Sequence, residues 1–156
     1  FRLTGMIMWI LFGAHAFSSA YTFIGAQTLV ENLMAYIPGG PYGTIVAMML
    51  IIFFLAMVLD PVGIMMITLP VFLPIVKSLG FDPIWFGILF IINMEIGYMT
   101  PPFGFNLFYL KGVVPQGITM TDIYRSVIPF TLVEGVGLLL VLIFPAIATY
   151  LPELVF

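Results

Sequence analysis

The chain has 156 residues, of which 63% are hydrophobic and 7% charged, with a mean hydropathy of +1.24; soluble domains carry roughly a quarter charged residues. That balance excludes a soluble enzyme or binding domain and indicates one multi-span membrane unit, because no polar stretch is large enough for a second domain. A formal charge of -3 gives no basic patch for nucleic acid, zero cysteines exclude disulfides and Cys-based metal sites, and one histidine leaves little for a His-rich centre.

Phe1 opens the chain in an apolar context, without an initiator Met or a charged leader, so the expectation is a piece of a longer membrane protein whose remainder lies N-terminal. Residues 4–24 are long enough to cross a hydrocarbon core of about 30 Å, with Trp9 and Tyr21 toward the two ends. His15, Ser18, Ser19 and Thr22 recur at helical spacing and form a polar stripe expected to face other protein. Residues 26–37 place Leu29, Leu33, Tyr36 and Ile37 on one side and Gln27, Glu31 and Asn32 elsewhere, the pattern of a short helix lying in the interface. PGGPYG at 38–43 ends it and turns the chain.

Residues 44–59 and 64–80 are two apolar arms joined by Asp60, Pro61, Val62 and Gly63, and Pro70 and Pro74 interrupt the second arm. At 1.5 Å per residue each arm reaches about 24 Å, short of a bilayer core, which predicts a re-entrant helical hairpin over 44–79 with Asp60 at its tip. A lone carboxylate at that depth costs several kcal/mol unless it is paired, protonated or bound to a cation. The other reading is two full spans with an ordinary DPVG turn in water.

GFDP at 80–83 is a helix-start signal, with Asp82 as cap and Pro83 in the first turn, and Trp85 then suits the interface. The span over 84–110 is discontinuous. Its stretch NMEIGYMTPPFGFNLF at 93–108 gathers Asn93, Glu95, Thr100, Gly104 and Asn106 around two adjacent prolines, which donate no backbone hydrogen bond. Irregular backbone at bilayer depth is tolerated only inside protein or along a polar cavity, so the bend is a candidate cation or substrate site; a plain proline kink is the alternative. Asn93, Gly97, Thr100 and Gly104 share one face, whereas Glu95 points elsewhere and is expected to pair with a neighbouring amide or hydroxyl.

Residues 111–128 are the most polar stretch and start a surface helix capped by Thr121 or Asp122. Pro129 opens the last span, 129–150, in which Glu134 lies between small residues at a helix interface, and Tyr150, Pro152 and Glu153 mark the exit. A hairpin returns the chain to its starting side, so Arg2, Lys111 and Arg125 share one side against Lys77 on the other. The positive-inside rule puts the loop 111–128 in the cytoplasm and the C-terminus outside.

The strings LDPVGIMMITLPVFLPIV (59–76), LGFDPIWFGI (79–88), GYMTPPFGFNLFYLKGV (97–113) and IYRSVIPF (123–130) resemble, in order and separation, the C-terminal half of the large membrane subunit of tripartite ATP-independent periplasmic (TRAP) transporters. The resemblance covers nearly the whole chain. It implies an all-α integral membrane fold: half of an inverted-repeat, elevator-type carrier with one re-entrant hairpin and a discontinuous helix, its first repeat absent from this sequence. It also implies sodium-coupled uptake of an organic acid, a carboxylate or sugar acid, in the bacterial inner membrane. A periplasmic solute-binding protein would deliver the substrate and a small membrane subunit would brace the large one. The hairpin-tip aspartate of the family falls on Asp60, and its TPP-G-N break falls on Thr100, Pro101, Pro102, Gly104 and Asn106. Where the family commonly has a glycine four residues before that aspartate, this chain has Ala56, which calls close backbone packing there into question.

Sodium prefers hard oxygen ligands, and released carbonyls, a hydroxyl and a carboxylate supply them. The cation-binding candidates are therefore Asp60, Gly63, Thr100, Pro101 and Gly104, and the substrate-binding candidates are Asn93, Asn106, Ser18 and Ser19. No other cofactor is expected. Another ion-coupled inverted-repeat carrier is the alternative. An intramembrane enzyme built on Asp60 and Asp82 has too few catalytic groups to support it, and a purely structural subunit does not explain a polar break beside a polar hairpin tip.

Overall fold

The computed structural model describes residues 1–155; the side chains of Leu3, Gln27, Glu31, Ala35, Glu153 and Val155 lie outside that description, including the polar positions assigned to Gln27 and Glu31 and the exit position Glu153. The described residues form eight α-helices and no strand. Helices Thr4–Phe23, Pro61–Ser78 and Met120–Ile143 are long and apolar enough to cross a membrane, and Gly40–Ala56 and Pro83–Met99 are shorter apolar helices. The chain is a multi-pass membrane protein, and it divides into two compact units.

The first unit comprises Phe1–Ile51 and Leu59–Pro83. Helix α1 (Arg2–Phe23) packs on α4 (Pro61–Ser78), and α2 (Ala26–Ala35) packs on both. The buried face of α1 carries Ala14 and Tyr21, leaving His15 and Ser19 of the polar stripe exposed and Ser18 half-buried. The Thr22 hydroxyl donates to the Ser18 carbonyl at 2.9 Å, so part of the stripe satisfies itself along its own helix. Leu29, Leu33 and Tyr36 of α2 stay exposed, while Met34 and Ile37 line a cavity of about 240 Å³ with Thr44 of α3 and Ile75 of α4.

Helix α3 (Gly40–Ala56) starts four residues earlier than the turn PGGPYG suggests. Pro41 falls in the first turn, where no backbone donor is required. Gly39 and Gly40 supply positive φ angles of 100° and 62°. A Cβ on Gly43 would lie 2.3 Å from the Pro38 carbonyl oxygen, so only glycine lets the helix start against the preceding turn. Tyr42 and Phe81 meet edge to face at 5.0 Å between ring centroids, bringing the start of α3 beside the end of α4. The second arm differs from expectation, because α4 runs unbroken through Pro70 and Pro74 for 18 residues, about 27 Å of rise.

The second unit comprises Ile52–Val58 and the chain from Ile84 onward. Helix α5 (Pro83–Met99) carries a nearly continuous buried face from Trp85 to Tyr98. Trp85, whose residue type suits the interface, packs into the unit's interior: it is only 1% exposed, and its indole Nε1 donates to the Val141 carbonyl at 2.7 Å. The cause lies sixty residues on. Pro145 has no N–H for the carbonyl of Val141, its i−4 residue, and the indole fills that vacancy.

Helix α6 (Phe105–Val113) packs on α7 (Met120–Ile143) through a buried cluster of Leu107, Ile123 and Val127. Two expectations are corrected along α7. Its cap is Thr119, whose hydroxyl accepts from the Asp122 N–H at 3.3 Å while the Asp122 carboxylate accepts from the Thr119 N–H at 2.9 Å, a capping box with Asp122 at the third helical position. The surface helix and last span are also one helix of 24 residues with Pro129 inside it, so the non-helical loop is only 114–119. Hydroxyls of Ser126 and Thr131 donate to the Ile123 and Val127 carbonyls on either side of that proline. The last span ends before 150. Phe144 leaves the helical region at φ −117°, ψ 79°, as a residue preceding proline tends to, and α8 (Ala146–Val155) restarts beyond Pro145.

Candidate functional site

Asp60 and Gly63 belong to the first unit and form one piece of local structure. Asp60 has extended backbone, φ −73° and ψ 157°, and caps α4, with its Oδ1 accepting from the Gly63 N–H at 3.0 Å. A Cβ on Gly63 would lie 2.9 Å from Oδ2, so glycine is what lets the carboxylate lie flat on the first turn. Pro61 to Gly63, expected as the hairpin turn, are already helical, and the turn itself is the run Met57 to Asp60. The α4 macrodipole and the capping bond both favour a carboxylate at this position, and Oδ2 keeps lone pairs for a further partner.

Asn93, Thr100, Pro101, Gly104 and Asn106 belong to the second unit. Helix α5 stops at Met99, and five residues later Gly104, at φ 57° and ψ 62°, caps α6. Thr100 holds the end of α5 twice: its N–H donates to the Gly97 carbonyl at 3.1 Å, and its hydroxyl donates to the Ile96 carbonyl at 2.6 Å. The hydroxyl oxygen retains acceptor capacity after that donation. Pro101 and Pro102 donate no backbone hydrogen bond across the break. Thr100 and Pro101 also line a cavity of about 230 Å³ against Tyr124, Ile128, Thr131 and Leu132 of α7.

Asn93 is buried on α5, at 4% exposure. Asn106 is exposed, and its side-chain Nδ2 donates to Oε2 of Glu95 at 3.2 Å. The neighbouring amide expected for Glu95 is thus that of Asn106, from the far side of the break. Ser18 and Ser19 lie on α1 in the first unit.

Ala56 sits at a close helix contact. Ala56 is fully buried, and a Cβ on Gly97 would come within 2.5 Å of the Ala56 Cβ and 3.1 Å of the Phe53 carbonyl oxygen. The backbones still approach closely, with glycine on the α5 side of the contact. Tyr124 is the residue near the break that spacing alone does not assign to it, since it lies on another helix.

Comparison with known proteins matches residues 1–147 to the family described as tripartite ATP-independent periplasmic transporter, DctM component. The chain belongs to this family. It is 32% identical over 153 residues to the C4-dicarboxylate TRAP transporter large permease protein of Vibrio cholerae, covering 98% of this chain and 33% of the relative. It is 33% identical over 132 residues to the 2,3-diketo-L-gulonate TRAP transporter large permease protein of Escherichia coli, covering 85% of this chain and 31% of the relative. The ectoine/5-hydroxyectoine TRAP transporter large permease protein of Ruegeria pomeroyi is 33% identical over 160 residues, covering 99% and 37%. The chain thus spans about a third of the length of these relatives, which are named as transporter permeases and not as enzymes.

Proposed function

We propose that the chain is the C-terminal part of a TRAP large permease that couples uptake of an organic acid to sodium. The observation that carries the reading is the break at Thr100 to Gly104, where a proline pair withholds donors from the end of α5 and a threonine hydroxyl lies among the carbonyls. The residues that serve the cation in this reading are Asp60, Gly63, Thr100, Pro101 and Gly104. Asn93, Asn106, Ser18 and Ser19 serve the substrate. Helices α3 and α4 are the re-entrant hairpin of an inverted-repeat, elevator-type carrier. Relatives named for C4-dicarboxylate and 2,3-diketo-L-gulonate support an organic acid as substrate, and the family's description as tripartite and periplasmic supports a periplasmic binding protein as its donor and a small membrane subunit as partner. The permease resides in the bacterial inner membrane, with Arg2, Lys111 and Arg125 on the cytoplasmic side.

Sodium acts here by neutralising Asp60 and by taking oxygen ligands at the break, where the Thr100 hydroxyl keeps acceptor capacity. If the occupied site binds substrate better, sodium and substrate strengthen each other by the same factor. The test is a sodium titration of uptake by the whole permease with its partner subunits in proteoliposomes. Thr100→Val keeps the shape and deletes one oxygen, and should raise the half-saturating sodium concentration by about tenfold. Asp60→Asn should raise it further while the amide oxygen still caps α4. A sodium curve unmoved in both variants would reduce the break to a structural kink.

A further inference from the structure

Glu95 and Asn106 are eleven residues apart, and in a continuous helix that separation puts about 16 Å of rise between them. Their side chains nevertheless meet at 3.2 Å. The contact therefore reports that the chain turns back at the break, so that the first turn of α6 lies beside the last turns of α5. Aromatic contacts follow the same path: Tyr98 meets Phe105 edge to face at 6.5 Å, and Phe103 stacks on Phe105 at 6.2 Å. Yet a ring contact tolerates sliding, whereas a carboxylate accepting an amide N–H at this distance fixes separation and direction. Both partners are exposed on the chain, in a segment that the transport reading puts within the membrane. A charge there is costly unless it is paired.

We propose that Glu95 is a positioning residue for the cation site: acting through Asn106, it brackets the two half-helices and holds the Thr100–Gly104 loop at a fixed aperture. This rests on the transport reading above and deepens it by giving Asn106 a role in coupling as well. The carboxylate of Glu134 is the charged group that bears on Glu95 from α7. One of its oxygens is buried without a hydrogen-bond partner among the described residues. The alternative to a bracket is therefore an effect of the Glu95 charge itself.

The two are separated by Glu95→Gln, whose side-chain oxygen still accepts from Asn106 but carries no charge. In the whole permease, Glu95→Ala and Asn106→Ala should each raise half-saturating sodium by about tenfold, the double variant should be no worse than either, and Glu95→Gln should match the unsubstituted protein. A second readout does not depend on transport. Nitroxides at Ile91→Cys on α5 and Tyr109→Cys on α6, both exposed in a chain without native cysteine, should give a narrow distance distribution that Glu95→Ala broadens and Glu95→Gln restores. An unchanged distribution in Glu95→Ala, additive effects of the two alanine variants, or a Glu95→Gln as impaired as Glu95→Ala would each overturn the bracket. Uptake without sodium dependence in the unsubstituted protein would overturn the transport reading instead, and the spin-label distances would then judge the bracket alone.

Discussion

Replacing Trp85 by Phe removes a single donor from the interior and provides a sharp test of how the second unit is held together. The indole is 1% exposed and donates at 2.7 Å to Val141, a carbonyl that Pro145 deprives of its helical partner. Leaving such a carbonyl unsatisfied costs about 1–3 kcal/mol, and the smaller ring adds about 1 kcal/mol of lost packing. The expected loss is therefore about 2–4 kcal/mol, measured by denaturant unfolding of the purified permease in mixed micelles. The compensating change is Pro145→Ala, which offers Val141 a backbone N–H. In the Trp85→Phe background it should recover the hydrogen-bond part of the loss, giving a coupling energy of at least about 1 kcal/mol in the double-mutant cycle. A Trp85→Phe cost below about 0.5 kcal/mol, or strict additivity with Pro145→Ala, would refute the assignment of the indole as a surrogate donor.

Gly97→Ala should destabilise the same unit by about 1–3 kcal/mol, because its Cβ would fall 2.5 Å from that of Ala56, and Ala56→Gly should relieve it in the same unfolding assay. Gly63→Ala, which pushes a Cβ to 2.9 Å from the Asp60 carboxylate, should lower stability by about 1 kcal/mol, and Asp60→Asn should lower it less. Thr119→Ala deletes the capping box of α7 and should cost about 1 kcal/mol without moving the sodium curve. Cysteines introduced at Gly40 and Gln116 should label from opposite sides of the membrane with an impermeant thiol reagent, while one at Val62 stays protected. Labelling of position 62 from the cytoplasm would favour two full spans over a re-entrant hairpin.

Features governed by local chemistry are legible in this sequence. Two adjacent prolines after a threonine end a helix wherever they occur, and the interruption at Thr100 to Gly104 follows from residue types alone. The same holds for Asp60 beside a first-turn proline, although it reads equally as a turn. Features set by distant partners are not legible. Trp85 follows the aromatic-belt rule until the carbonyl stranded by Pro145 claims its N–H. Pro129 and the pair Pro70 and Pro74 look like helix ends, but hydroxyl back-bonds and neighbouring helices carry α7 and α4 through them. The close approach of Ala56 to Gly97 is likewise visible only as a three-dimensional contact.

The interruption between α5 and α6 also constrains how the polypeptide reaches the bilayer. Nine residues of α6 rise only about 14 Å, half a hydrocarbon core, so this segment cannot leave the translocon as an independent span. Its buried Leu107 is covered by Ile123 and Val127, on a helix synthesised later. The first half-helix must therefore wait, with its polar end sheltered, until α7 emerges and carries α6 into place, which makes membrane insertion here a cooperative event between successive segments.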